Sequence, residues 1–143
     1  MIKRILIVCV GNICRSPAAE ALLRRHLDGR IEVASAGLAA VTGNGIDPLA
    51  ASVLADHGLA ADGHVARQIN AELIANADIV LAMDRRQLSA ILALAPQARG
   101  KAFLLGKWLG DAEIADPYGQ PREAFERMYA LIEKAVAEWR TRL

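Results

Sequence analysis

Apolar residues fall along this chain in two alternating rhythms. Residues 5–8 are a continuous aliphatic run, the pattern of a parallel strand covered on both faces. The strand is expected to end at Cys9. Ser16 and Pro17 then read as the N-cap and first residue of a helix that Ala18, Ala19, Glu20, Ala21, Leu22 and Leu23 continue, with Gly29 as its stop. A second strand is expected over 31–34 and a glycine-containing loop over 39–46. Asp47-Pro48 opens a helix with Leu49, Val53 and Leu54 on one face and Gly58 as terminator. Residues 59–68 read as a loop around His64, and Asn70 caps a short helix through Ala75. Residues 79–83 are a further apolar strand. Asp84 caps a helix carrying Leu88, Ile91, Leu92 and Leu94 up to Pro96, and residues 102–105 give a fourth strand. A long loop over 106–121, of a length that is usually functional, leads into a final helix over 122–140. Phe125, Met128, Tyr129, Ile132, Val136 and Trp139 recur there at helical spacing, a core-packing stripe.

Strands alternating with helices at this interval predict an α/β fold: a four-stranded parallel sheet with helices on both faces, joined by right-handed crossovers. In such sheets the ligand lies beyond the carboxyl ends of the strands, where Cys9 falls. At 143 residues the chain fits a single domain, 1–143.

Charge and cysteine content narrow the function classes. Lys and Arg number 17 against 16 Asp and Glu, so bulk charge gives no case for nucleic acid or an anionic membrane. The apolar stretch near the start is too short to span a bilayer or serve as a signal segment, so a cytoplasmic protein without membrane insertion is expected. The two cysteines, Cys9 and Cys14, are too close in sequence to staple a fold, and the three histidines offer no usual zinc spacing. Neither a metal nor another cofactor is expected.

The candidate chemistry lies between Cys9 and Ser16. Gly11 and Asn12 tolerate positive φ, so the backbone after Cys9 can curl until several N–H groups point inward, forming a nest for an anion. A helix begins just beyond, with its positive end toward the loop, and the Arg15 guanidinium adds a third source of positive potential. Each source favours a thiolate at Cys9 and a phosphate beside it. A structural cysteine needs none of Gly, Asn, Arg, Ser and Pro at these spacings.

Cys-x5-Arg followed by Ser, and the fuller string C-V-G-N-I-C-R-S-P near the N-terminus, resemble the low-molecular-weight protein tyrosine phosphatases. The resemblance covers essentially the whole chain. It implies a three-layer α/β/α sandwich with the phosphate-binding loop at the C-terminal end of strand 1, and no cofactor. By the same resemblance Cys9 is the nucleophile, Arg15 binds phosphate, and Asp116 of Asp116-Pro117-Tyr118 is the general acid. Asp111 and Glu113 share that loop but lack the Asp-Pro-aromatic setting. Val10, Gly11, Asn12, Ile13, Cys14 and Ser16 would form the cradle, with Asn12 holding the turn and Ser16 donating to the Cys9 sulfur. Ser35 and His64 match positions that brace the loop. Ile13 and Tyr118 would line the walls, with 38–41 as rim. Cys14 faces the same cradle if the loop curls as expected, which leaves two readings open: a reversible, protective Cys9–Cys14 disulfide, or a small packing residue.

A deep pocket favours phosphotyrosine, whose ring carries its phosphate further from the backbone than Ser or Thr. The arginine phosphatases of the same family carry Thr where this chain has Ile13, which argues for tyrosine. Gly119 replaces a second Tyr of animal members and thins the wall. A-G-L, the short glycine-rich loop, D-P and A-R-Q-I are similar to bacterial members that oppose tyrosine autokinases of capsule or exopolysaccharide export. The expected partner is therefore a phosphotyrosine protein, such as an autokinase. Thiol-linked arsenate reductases share the fold but need further cysteines, and none follows Cys14. A phosphate-binding module without catalysis would not require Arg15 together with Asp116.

Overall fold

A computed structural model describes all residues, 1–143. Four strands, β1 (Arg4–Cys9), β2 (Glu32–Gly37), β3 (Ile79–Ala82) and β4 (Ala102–Leu104), form one all-parallel sheet in the order β2-β1-β3-β4. The helices are α1 (Arg15–Leu27), α2 (Pro48–Asp56), α3 (Ala71–Asn76), α4 (Arg85–Leu94) and α5 (Arg122–Arg140). No helix is long and apolar enough to cross a membrane.

The pleat of β1 divides the interior into two cores. Ile5, Ile7 and Cys9 join the larger one, with α1, α2 and α5; Leu6 and Val8 join the smaller, with Ile74 of α3 and Ile91 of α4. The result is a three-layer α/β/α sandwich. After β2 the chain crosses β1 and continues on its other side, so the order reverses between β1 and β3. The switch point of the sheet therefore lies between the ends of β1 and β3, where the chain leads out through Cys9 and toward Asp84.

Local signals placed most boundaries. Asp47 accepts from the N–H groups of Leu49 (2.8 Å) and Ala50 (3.3 Å), Asn70 from Leu73 (2.8 Å) and Asp84 from Gln87 (2.9 Å), each as an N-cap. Several expectations need correcting. The N-cap position of α1 belongs to Cys14, without a side-chain bond, and Ser16 lies inside the helix. β2 runs on to Gly37 because it pairs with β1 over its full length. Ala50 faces the core in place of Leu49, and Leu94 is exposed at the end of α4. Within 106–121, a 3-10 turn (Lys107–Leu109) and a bridge between Gly106 and Ala112 fold the first half of the loop back on itself.

Candidate active site

The chain turns sharply after β1. Asn12 takes the positive φ, 60°, whereas Gly11 is not among the positive-φ residues. Asn is the non-glycine residue that accepts this conformation most readily, and its side chain then serves as a strut. The Asn12 N–H reaches the Cys9 Sγ at 3.3 Å. None of the N–H groups of Val10, Gly11, Ile13, Cys14, Arg15 and Ser16 donates to a backbone carbonyl, so the loop presents a run of donors to an anion.

The fully buried Asn12 side chain fixes the direction of the surrounding hydrogen bonds. Its Oδ1 accepts the Arg67 N–H at 3.0 Å, so its Nδ2 must face the two serines, donating to Ser16 Oγ at 2.8 Å and Ser35 Oγ at 3.0 Å. Ser35 gives its own hydrogen to Glu20 Oε1 at 2.6 Å. The Ser16 hydroxyl hydrogen is left to point at Cys9 Sγ, 2.9 Å away. His64 Nε2 lies 2.6 Å from the Asn12 carbonyl, which can only accept, so that ring nitrogen carries a hydrogen. Glu20 also pairs with Arg24 at 2.8 Å, and the Arg67 Nε donates to the Ser35 carbonyl at 3.0 Å. An open cleft of about 810 Å³ borders these bracing residues, behind the loop.

Arg15 is a cation with 5% of its side chain exposed. Its Nη1 donates to the Ile114 carbonyl at 2.9 Å and lies 3.6 Å from Asp84 Oδ2; its Nη2 lies 3.8 Å from Asp116 Oδ2. A buried charge needs such partners. Asp116 is 53% exposed, and its Oδ1 accepts the Tyr118 N–H at 3.1 Å in a local turn. Tyr118 is exposed. A Cβ added at Gly11 would meet Ile13 at 3.5 Å and Val41 at 3.6 Å, so those two side chains flank the loop, while Val10 and Val41 are exposed beside it.

Cys9 and Cys14 are both free and buried. Burial above all, then the charges of Asp47, Asp116 and Cys9, push the Cys14 thiol up to about 12 against the pull of Arg15. Cys14 is thus a neutral thiol beside the site.

The chain therefore brings Cys9, Asn12, Arg15, Ser16, Ser35, His64 and Asp116 into one constellation. Sequence reasoning missed Glu20, Arg67 and the Ile114 carbonyl, and read Asp84 as a cap alone. The location of Asp84 at the carboxyl end of a strand was the available signal. Glu113, weighed as a rival acid, accepts the Arg85 N–H at 2.8 Å.

Residues 4–143 match the family described as "Low molecular weight phosphotyrosine protein phosphatase". The low molecular weight protein-tyrosine-phosphatase Wzb of Salmonella typhimurium is 48% identical over 139 residues, covering 97% of this chain and 93% of the relative. The structure of Vibrio vulnificus Wzb in complex with benzylphosphonate superimposes with a TM-score of 0.96 at 38% identity, over 100% of both chains. The YwlE arginine phosphatase from Geobacillus stearothermophilus gives 0.92 at 36% identity, over 98% of this chain and 92% of its own.

Proposed function

This chain belongs to the low molecular weight phosphotyrosine protein phosphatases, a cysteine-dependent family, and we propose that residues 1–143 act as one such domain with Cys9, Arg15 and Asp116 as its catalytic residues. One observation carries the assignment: the Cys9 sulfur, met by the Asn12 amide and the Ser16 hydroxyl, shares its loop with Arg15, and Arg15 in turn faces Asp116.

The cradle of Val10 to Cys14 and Ser16, with Arg15, holds the three non-bridging oxygens of a phosphate monoester. The Cys9 thiolate attacks phosphorus opposite the leaving oxygen. A P–S bond forms as the P–O bond breaks, and protonated Asp116 gives its proton to the departing phenolate. Asp116, now a carboxylate, takes a proton from water as that water attacks phosphorus. The P–S bond breaks, returning the thiolate and releasing inorganic phosphate. The loop amides and Arg15 offset the charge that builds on the phosphoryl oxygens in both steps. Cys14 stays a thiol throughout.

Phosphotyrosine is the substrate class, with Ile13 and Tyr118 against the ring. The benzylphosphonate of the Vibrio vulnificus relative supports an aryl-sized ligand, and Ile13 argues against phosphoarginine. The protein substrate is a tyrosine autokinase of exopolysaccharide production, as in the bacterial branch this sequence resembles. Two free cysteines, one of them the nucleophile, fit the reducing cytoplasm.

The test is hydrolysis of para-nitrophenyl phosphate without added metal, repeated on phosphotyrosine, phosphoarginine and phosphoserine peptides. Turnover should be abolished in Cys9→Ser on every substrate, and in Asp116→Asn it should fall about a hundredfold or more on the phosphotyrosine peptide, whose phenolate needs its proton. Full activity in Cys9→Ser would refute the nucleophile. A preference for the phosphoarginine peptide would overturn the substrate class.

A further inference from the structure

The junction between β3 and α4 grips the segment that leads to Asp116. The Met83 carbonyl accepts the Ile114 N–H at 2.9 Å. One residue beyond Asp84, the Arg85 N–H at the start of α4 donates to Glu113 Oε2 at 2.8 Å, and the Arg85 guanidinium lies 3.5 Å from the same oxygen. Asp84 satisfies a second amide of this helix end through Oδ1, leaving Oδ2 toward Arg15. Glu113 is thus a second carboxylate at the positive end of α4, supplied by a distant loop.

Downstream of this clamp Pro117 is buried and the Asp116 carbonyl accepts the Gln120 Nε2 hydrogen at 3.1 Å. The N–H groups of Ala115 and Asp116 donate to no backbone carbonyl. The Asp116 side chain contacts its own turn and, at 3.8 Å, Arg15. The approach of Asp116 to the phosphate loop is therefore set on its upstream side by residues 113 and 114, and on its downstream side by its own turn and buried Pro117. An exposed ion pair alone contributes little, so the charge-assisted bond to the helix-end amide is the stronger half of the clamp.

We propose that Glu113 is a positioning residue for leaving-group protonation, holding the Asp116 segment against α4 so that the acid reaches the leaving oxygen. This rests on the reading of Asp116 as general acid. The reaction itself supplies a discriminating readout. A nitrophenolate departs with little help from an acid, whereas an unsubstituted phenolate needs its proton.

The experiment measures kcat/KM, which reports the first chemical step, for para-nitrophenyl phosphate and phenyl phosphate with wild type, Glu113→Ala, Glu113→Gln and Asp116→Asn. In Glu113→Ala, phenyl phosphate hydrolysis should fall about tenfold while para-nitrophenyl phosphate changes less than about threefold. Glu113→Gln keeps a carbonyl for the Arg85 N–H and should restore most of the loss. Equal loss on both substrates, or no loss on either, overturns the proposal. Asp116→Asn separates the two readings. If it shows no bias against phenyl phosphate, the acid assignment itself fails; if it shows the bias and Glu113→Ala does not, the clamp alone is refuted.

Discussion

Asn12 shows how much one residue can settle. Its left-handed backbone makes the turn, its N–H meets the Cys9 sulfur, and its amide orients two hydroxyls. Ser16 was legible as a residue of the loop, yet its reading as an N-cap failed because the helix already begins at Arg15, which frees the Ser16 hydroxyl for the Cys9 sulfur. Cys14 illustrates the opposite effect, a thiol silenced by its surroundings. Its folded value of about 12 lies above the ordinary 9.0, so the native state holds this proton more tightly than the unfolded chain. The associated stability is fully present below pH 9 and is lost as pH rises toward 12. Urea unfolding at pH 8 and pH 10.5 should therefore show a steeper alkaline loss in wild type than in Cys14→Ala. At pH 8, iodoacetamide should label Cys9 and spare Cys14 in the folded protein; equal labelling would contradict the raised Cys14 value.

Between elements, the close approach of the chain leaving β2 to the loop after Cys9 matters most. The N–H groups of Leu38, Ala39 and Val41 donate to the carbonyls of Cys9, Val10 and Gly11 at 2.9, 3.0 and 3.0 Å, which turns those carbonyls outward. Gly37 makes this approach possible: a Cβ there would lie 2.4 Å from the Val10 carbonyl oxygen and 3.1 Å from Ala40. Both neighbours include backbone, so neither yields without moving the loop. Gly37→Ala should cost about 1–3 kcal/mol of stability and depress turnover, although it removes no reacting group. Unchanged urea stability together with unchanged kcat would mean the loop can absorb the methyl. Strand pairing also decided the length of β2, which local composition could not reveal.

At the scale of the whole molecule, α5 ties the far edge of the sheet to the core beneath the site. Trp139 is buried and donates through Nε1 to the carbonyl of fully buried Leu105 at 2.7 Å, with Trp108 edge-on at 5.7 Å. Trp139→Phe keeps most of the packing but strands that carbonyl, so it should destabilise by about 1–3 kcal/mol in denaturant unfolding. A loss within experimental error would show that water reaches Leu105. The stripe containing Trp139 was readable from its spacing alone; its partner carbonyl, 34 residues earlier and just past β4, was not.

The amino-acid sequence by itself determined the strand-loop-helix carrying Cys9, Asn12, Arg15 and Ser16, because those groups are close along the chain and their geometry follows from local backbone preferences. It also determined the caps at Asp47, Asn70 and Asp84, where a side chain meets an amide two or three residues away. Tertiary structure alone decided which carboxylates surround Arg15. Ile114 lies 99 residues beyond it, and the order β2-β1-β3-β4 brings the end of β3 beside β1 and gives the loop carrying Asp116 its anchor. Contacts made across the crest of a sheet depend on strand order, and no local pattern of residue types encodes that order.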